Sequence, residues 1–233
     1  MAMGYRLRSG DIGPVQQSPV TCGSACLTVA RMLVNPDFAR WITTGEGPRG
    51  DAPAGASEKE RFAGYERVVM ARTNRLIAGG RRLNLPWPRA LGTPPWGARK
   101  ELEFGAARKG TSYALRPVRQ LTVAGLRAAH TRLVDVVAEG EPALLYIGNA
   151  TLPRHVTLVL PGDGDRVLDV YDPATGEVTL LDEERFASRS LHLSGWDVPW
   201  VCVQPDGLRR AQAFGFSTGM SSASRTSGVS ASA

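Results

Sequence analysis

Apolar positions recur at spacings of three and four over residues 21–34, TCGSACLTVARMLV, where Ala25, Val29, Met32 and Leu33 make one helical face. Thr21 stands where a helix cap belongs, and Asn35-Pro36 ends the pattern. A second helix is expected from about 58 to 78, opened by Ser57 with Glu60 three residues on and stopped by Gly79-Gly80. A third runs from a Thr122 cap through Val137 to Gly140. Between the first two, residues 44–57 are Gly/Pro-rich and read as a mobile loop. Residues 85–97, with four prolines and two tryptophans, read as an ordered irregular segment rather than a helix.

The second half changes period. PALLYIG (142–148) is a continuous apolar run, the mark of a buried strand. HVTLVL (155–160), RVLDVYD (166–172), VTLLD (178–182) and VPWVCVQP (198–205) follow as strands, separated by turn formers and a short helical stretch, EERFASR. Helices first and an antiparallel sheet afterwards make an α+β layout. From Asp206 the chain turns Ser/Gly/Ala-rich, so 1–205 is expected to form one domain and 206–233 a disordered tail.

Composition narrows the function classes. With 233 residues, 42% of them hydrophobic, the chain can bury a core without staples, and its three cysteines suit no disulfide framework. The net charge is +6, almost all from arginine, since lysine stands only at 59, 100 and 109. Those charges are scattered, denser only between Arg99 and Arg119, so nucleic acid is not the expected partner. No apolar run is long enough for a membrane span, and the first residues hold no secretory signal. A cytoplasmic protein, or one exported without a signal peptide, is expected. Cys22 and Cys26 are one helical turn apart, but zinc needs four ligands and the three histidines form no pair, so no metal or cofactor is expected.

The cysteines differ in placement. A helix N-terminus offers unpaired N–H groups and a positive dipole end, which favour a thiolate. Cys22 sits there, with Gly23 beside it leaving room for a substrate backbone. Cys26, one turn deeper, and Cys202, inside an apolar strand, read as small buried hydrophobes. A thiolate needs a proton acceptor, and the acceptor an orienting group. His155 opens a strand. A two-residue hairpin turn on Asp163-Gly164 pairs Gly162 with Asp165 and, continued along the ladder, sets His155 opposite Asp172. Gln16 and Gln17, six and five residues before the cysteine, can supply an amide donor to an oxyanion, with the Cys22 N–H as the second.

Gln16-x5-Cys22-Gly23-x-Ala25-Cys26-Leu27, His155-Val156-Thr157-Leu158-Val159 and Asp172-Pro173-Ala174-Thr175-Gly176 together resemble the bacterial C39-type branch of papain-like cysteine peptidases. The resemblance covers roughly residues 10–35 and 120–205. It implies a papain-like fold whose helical N-terminal part carries the nucleophile against a C-terminal antiparallel sheet. It implies Cys22 as nucleophile, His155 as base, Asp172 as orienter and Gln16 as oxyanion donor. Thr21 stands where that family often has an acidic residue. The Cys-to-His separation is longer than usual for the family, the excess being an insertion at 36–120. The best-known members are fused to exporters and cut after Gly-Gly; no such region follows here, and Gly79-Gly80 reads as a helix stop.

The expectation is a cysteine peptidase forming an acyl-enzyme on Cys22, its partner a peptide or protein substrate. Trp41, Trp87 and Trp96 in the insertion either select substrate or form satellite core. The same side chains can run acyl transfer or deamidation, or serve a toxin-like effector, and a silent peptide-binding module would keep the scaffold alone. The oligomeric state is not legible.

Overall fold

The computed structural model describes residues 4–48, 50, 53–74, 77–78, 82–83, 87 and 92–206, with backbone only for 77–78 and 82–83. The expected tail beyond Asp206 and the Gly79-Gly80 pair lie outside the described residues. Asp206 itself is tied to residues 112–116, its N–H donating to the Ser112 carbonyl (2.9 Å) and its carboxylate meeting Arg116 at 2.9 Å.

The fold is α+β. Helices α1 (Cys22–Val34), α2 (Pro36–Thr44) and α3 (Glu58–Thr73) come first. A two-stranded ribbon, β1 (Ile77–Ala78) with β2 (Arg82–Leu83), and α4 (Pro95–Glu101) follow, with one π-helical turn at Leu102–Ala106. Then come β3 (Tyr113–Pro117), α5 (Val123–Val137), β4 (Ala143–Gly148), β5 (Pro153–Val159), β6 (Leu168–Tyr171), β7 (Val178–Leu181), α6 (Glu183–Ala187) and β8 (Val198–Pro205). Six strands form one antiparallel sheet in the order β3-β8-β4-β5-β6-β7.

The apolar run of β4 is explained by burial on both faces. Leu144 and Tyr146 join the core shared with α1, α2 and α3, whereas Ala143, Leu145 and Ile147 join the one shared with α5 and α6. Among the described residues no helix is long and apolar enough to cross a membrane.

Several expected boundaries shift for identifiable reasons. Asn35-Pro36 ends α1 and also starts α2: the Asn35 side chain accepts the Phe38 N–H (3.0 Å), and Pro36 occupies the first helical position, where a missing N–H costs nothing. The expected irregular segment likewise gives way to a helix at Pro95, preceded by Pro94 in extended conformation. The second expected helix stops at Thr73 rather than 78, because the Asn74 side-chain amide donates to the Met70 carbonyl (3.0 Å) and Ile77–Ala78 enter a strand pairing. The loop expected to be mobile is gathered at both ends by one buried guanidinium: Arg61 donates to the carbonyls of Ile42, Thr43, Gly55 and Ala56. Trp41 is buried on α2 against Phe38, and Trp87 and Trp96 pack edge to face with ring centres 5.2 Å apart.

Candidate active site

Cys22 is the first residue of α1, and that helix is buried almost along its whole first half. One turn further in, the Cys26 thiol donates to the Val156 carbonyl at 3.4 Å. This contact registers the start of α1 on the start of β5, beside His155. Burial pushes the Cys26 thiol well above its ordinary range, and Cys202 up to about 12. Both stay protonated and inert near neutrality.

His155 lies between the other two chemically expressive groups. Its Nε2 donates to Asp172 Oδ1 at 2.7 Å, and the Cys22 side chain hydrogen-bonds the same ring. With Nε2 taken by the carboxylate, the nitrogen left for the sulfur is Nδ1. Burial alone would lower the pKa of this imidazole. The hydrogen bonds to Asp172 and Cys22, and their negative charges, outweigh that and raise it to about 9. Asp172 is also buried, which pushes its carboxyl up, yet the bonds from His155, Ser194 and the Ala174 N–H hold it below its usual value. A cationic ring between an anionic carboxylate and a sulfur is an arrangement able to lower the energy of a thiolate.

The register that brings His155 to Asp172 is not the expected one. Leu158 pairs with Tyr171 and Val159 with Val170, so Leu158 faces Tyr171 rather than Asp169. The connection is longer than two residues, running from Leu160 to Val167. The ladder is therefore offset by two, and its continuation puts Asp172 across from Thr157, with His155 as the diagonal neighbour. An offset of two, unlike one of a single residue, leaves both side chains on the same face, and diagonal neighbours remain within reach of a long side chain.

The Asp172–Gly176 stretch forms a tight loop. Asp172 Oδ1 accepts the Ala174 N–H (2.9 Å), and the Gly176 N–H returns to the Asp172 carbonyl (2.8 Å). Gly176 has φ +80, and a Cβ there would stand 2.5 Å from the Gly13 carbonyl oxygen. The N-terminal segment lies along this loop: Gly13 N–H donates to the Gly176 carbonyl and Gln16 N–H to the Pro173 carbonyl (2.8 Å). The backbone of Gln16 is thus hooked to the residue after Asp172. Among the described residues its side chain makes no hydrogen bond with Cys22, His155 or Asp172, and its amide oxygen is buried without a partner. An open cavity of about 570 Å³ lies beside it, between Pro14–Gln17 and Glu58, Lys59 and Phe62 at the head of α3.

Two expectations near the cysteine need correction. Thr21 precedes α1 but does not cap it through its side chain; its hydroxyl donates to the Ser18 carbonyl (2.8 Å). The room expected beside Gly23 is taken by Thr93, whose Cβ would lie 2.7 Å from a Cβ at position 23. Thr93 is fixed there by Ser24 Oγ (3.1 Å) and by the Tyr146 hydroxyl, which donates to its carbonyl at 2.9 Å.

Sequence reasoning missed Ser194. Its hydroxyl donates to Asp172 Oδ2 at 2.7 Å from a tight turn in which Ser194 and Gly195 both have positive φ and Leu193 and Trp196 exchange backbone hydrogen bonds. The signal was the Ser-Gly dipeptide, which favours such turns. The other two histidines are elsewhere: His130 is buried against Phe186, and His192 is exposed beside Asp197. No group of three metal-ligating side chains is found among the described residues.

No family model matches the chain, and no curated protein sequence matches it. Among solved structures, the peptidase domain of Streptococcus ComA, a bi-functional ABC transporter involved in a quorum-sensing pathway, is similar at 15% identity, covering 83% of this chain and 97% of that one with a TM-score of 0.37. The Pseudomonas avirulence protein AvrPphB is similar at 11% identity, covering 83% of this chain and 96% of that one with a TM-score of 0.44. Both likenesses are distant, and neither says what this chain does.

Proposed function

We propose that the chain is a papain-like cysteine peptidase of the C39 type, a single domain over residues 1–205 that hydrolyses peptide amide bonds through an acyl-enzyme. The observation that supports this most is the unbroken contact order of Cys22, His155 and Asp172 at the head of a buried helix. Cys22 is the nucleophile. His155 takes the thiol proton and, keeping it up to about pH 9, is ready to deliver it to the leaving amine. Asp172 fixes the ring and stabilises its charged form. In this reading Gln16, through its side-chain amide, and the Cys22 N–H donate to the oxyanion that forms on the attacked carbonyl. Water then attacks the thioester, His155 again moves the proton, and the carboxylic acid leaves. The substrate is a peptide or protein segment.

Iodoacetamide labelling of the intact protein, read residue by residue, tests the nucleophile. Cys22 is expected to react far faster than Cys26 and Cys202, whose thiols burial keeps protonated. Profiling on a diverse peptide library, with Cys22→Ala as control, tests the activity: the variant should fold and lose at least about a thousandfold of any turnover. Uniform slow labelling, or turnover that survives Cys22→Ala, refutes the reading.

A further inference from the structure

Glu66 lies on α3, in the middle of the segment that separates the nucleophile from the sheet, and is 1% exposed. Its carboxylate oxygens are 3.2 and 3.3 Å from the Gln17 backbone N–H, and its side chain also hydrogen-bonds Thr21. No ion pair to Glu66 occurs among the described residues. A buried carboxylate without a cation costs several kcal/mol relative to an apolar side chain at the same place. The two groups it holds are the neighbours in sequence of the two residues in the proposed chemistry: Gln17 follows Gln16, and Thr21 precedes Cys22.

We infer that Glu66 is a positioning residue for acyl transfer, holding the Gln16–Thr21 loop so that the Gln16 amide points at the oxyanion formed on Cys22. This rests on the thiol-hydrolase reading and adds to it a residue from outside the stretches that carry the family resemblance. Charge-assisted bonds to a carboxylate are about twice as strong as neutral ones, so the ionised carboxylate holds the Gln17 N–H and competes with the Ser18 carbonyl for the single proton of the Thr21 hydroxyl. The other holds on the loop among the described residues are local or at its entry: the Gln16 N–H on Pro173 and the Tyr171 hydroxyl on the Pro14 carbonyl fix the entry, the Gln17 side chain donates to the Val15 carbonyl, the Val20 N–H lies 3.5 Å from the Ser18 hydroxyl, and the Ser18 carbonyl receives the Thr21 N–H.

The charge state matters. Burial raises the Glu66 carboxyl to about 7, against the smaller opposite pull of the Thr21 and Gln17 bonds and of Arg67 on the same helix. From the other elements it faces Cys26 on α1 and Tyr171 on β6, both pushed up by burial and therefore uncharged near neutrality. Glu66 titrates between the Asp172 carboxyl, held low, and the His155 ring near 9. A carboxyl whose pKa rises on folding binds more protons folded than unfolded, so the stability it lends falls as pH climbs from about 4.5 to about 7. At pH 8 the ionised carboxylate is a burden on the fold that a neutral isostere lifts.

Two reagents separate positioning from plain structure without knowledge of the natural substrate. p-Nitrophenyl acetate acylates sulfur through an oxyanion, expelling p-nitrophenolate. Iodoacetamide alkylates it by displacing iodide, with no oxyanion. In the full chain at pH 8, Glu66→Gln is expected to slow acylation of Cys22 about tenfold, leave alkylation within about twofold, and melt no lower than the parent. The parent's ratio of acylation to alkylation should rise as pH passes about 7, and the variant's should stay flat. Equal slowing of both reagents, no slowing of either, or a lower melting temperature at pH 8 overturns the role of Glu66 while sparing the nucleophile. A parent whose Cys22 reacts with neither reagent faster than Cys26 and Cys202 sinks the thiol-hydrolase reading, and this one with it.

Discussion

In the sheet, His155 and Asp172 are placed by repetition. The β5–β6 ladder sets the face each occupies, and the tight loop after Asp172 and the 193–196 turn supply the remaining hydrogen bonds. In the helical half, Cys22 is placed by contacts made once each: a thiol on a strand carbonyl, Thr93 against Gly23, a carboxylate under the Gln16–Thr21 loop. Repetition tolerates an offset of two residues without losing a site, because the side chains stay on one face. Single contacts have no such redundancy. The sheet half should therefore fail chemically when one functional atom is removed, and the helical half geometrically when packing is disturbed.

The sharpest test of that contrast is Asp172→Asn. The side chain keeps its size but loses the charge that holds His155 protonated. Turnover on any substrate found is expected to fall about a hundredfold or more. With the Asp172 contribution gone, the His155 pKa drops from about 9, so the alkaline limb of the pH–rate profile moves to lower pH. A parental profile in the Asn variant would show that the sheet does not govern the ring.

Glycine substitutions compare the halves on stability. Gly176→Ala puts a side chain at φ +80 and 2.5 Å from a backbone oxygen that cannot swing away, so chemical denaturation should show a loss of about 3 kcal/mol. Gly23→Ala meets the Thr93 side chain at 2.7 Å, a clash partly offset by the better helix propensity of alanine, and a loss of about 1–2 kcal/mol is expected. Gly23→Ala should nonetheless slow Cys22 alkylation, because the strain falls next to the sulfur. If Gly23→Ala proved the costlier of the two, the head of α1 would be the more rigidly built region.

How far the sequence disclosed this arrangement follows the same division. Strands β4 to β8 were legible because an apolar run or alternation of period two survives wherever a sheet is buried. Cys22 and His155 were legible from their positions at element starts. Helices α2 and α4 were hidden because a proline that ends one pattern also opens the next at its first turn, and a sequence reading weighs the stop more readily than the start. The hairpin register that sets His155 opposite Asp172 does not form, and the two side chains meet because the register that does form has the same parity. Ser194 left only the signal of a turn, and Glu66 left none. Both act through hydrogen-bonded neighbours distant in the chain, and no local pattern encodes such contacts.

Ser194→Ala is the finest of these tests, since it removes one of three hydrogen bonds to Asp172 and leaves the His155 and Ala174 bonds on Oδ1 in place. Ser194 is exposed, so water can reach Oδ2 once the hydroxyl is gone, and the cost should be well below that of an unsatisfied buried acceptor. Turnover is expected to fall about threefold, with KM unchanged, because the carboxylate gains freedom to turn while the substrate contacts stay as they were. The turn itself should persist, since alanine replaces serine without changing the demand for positive φ that Gly195 shares. A loss as deep as that of Asp172→Asn would mean that the 193–196 turn, and not the β5–β6 ladder, sets the direction of the carboxylate, and the contrast between a repetitive half and a singly held half would then fail at its strongest point.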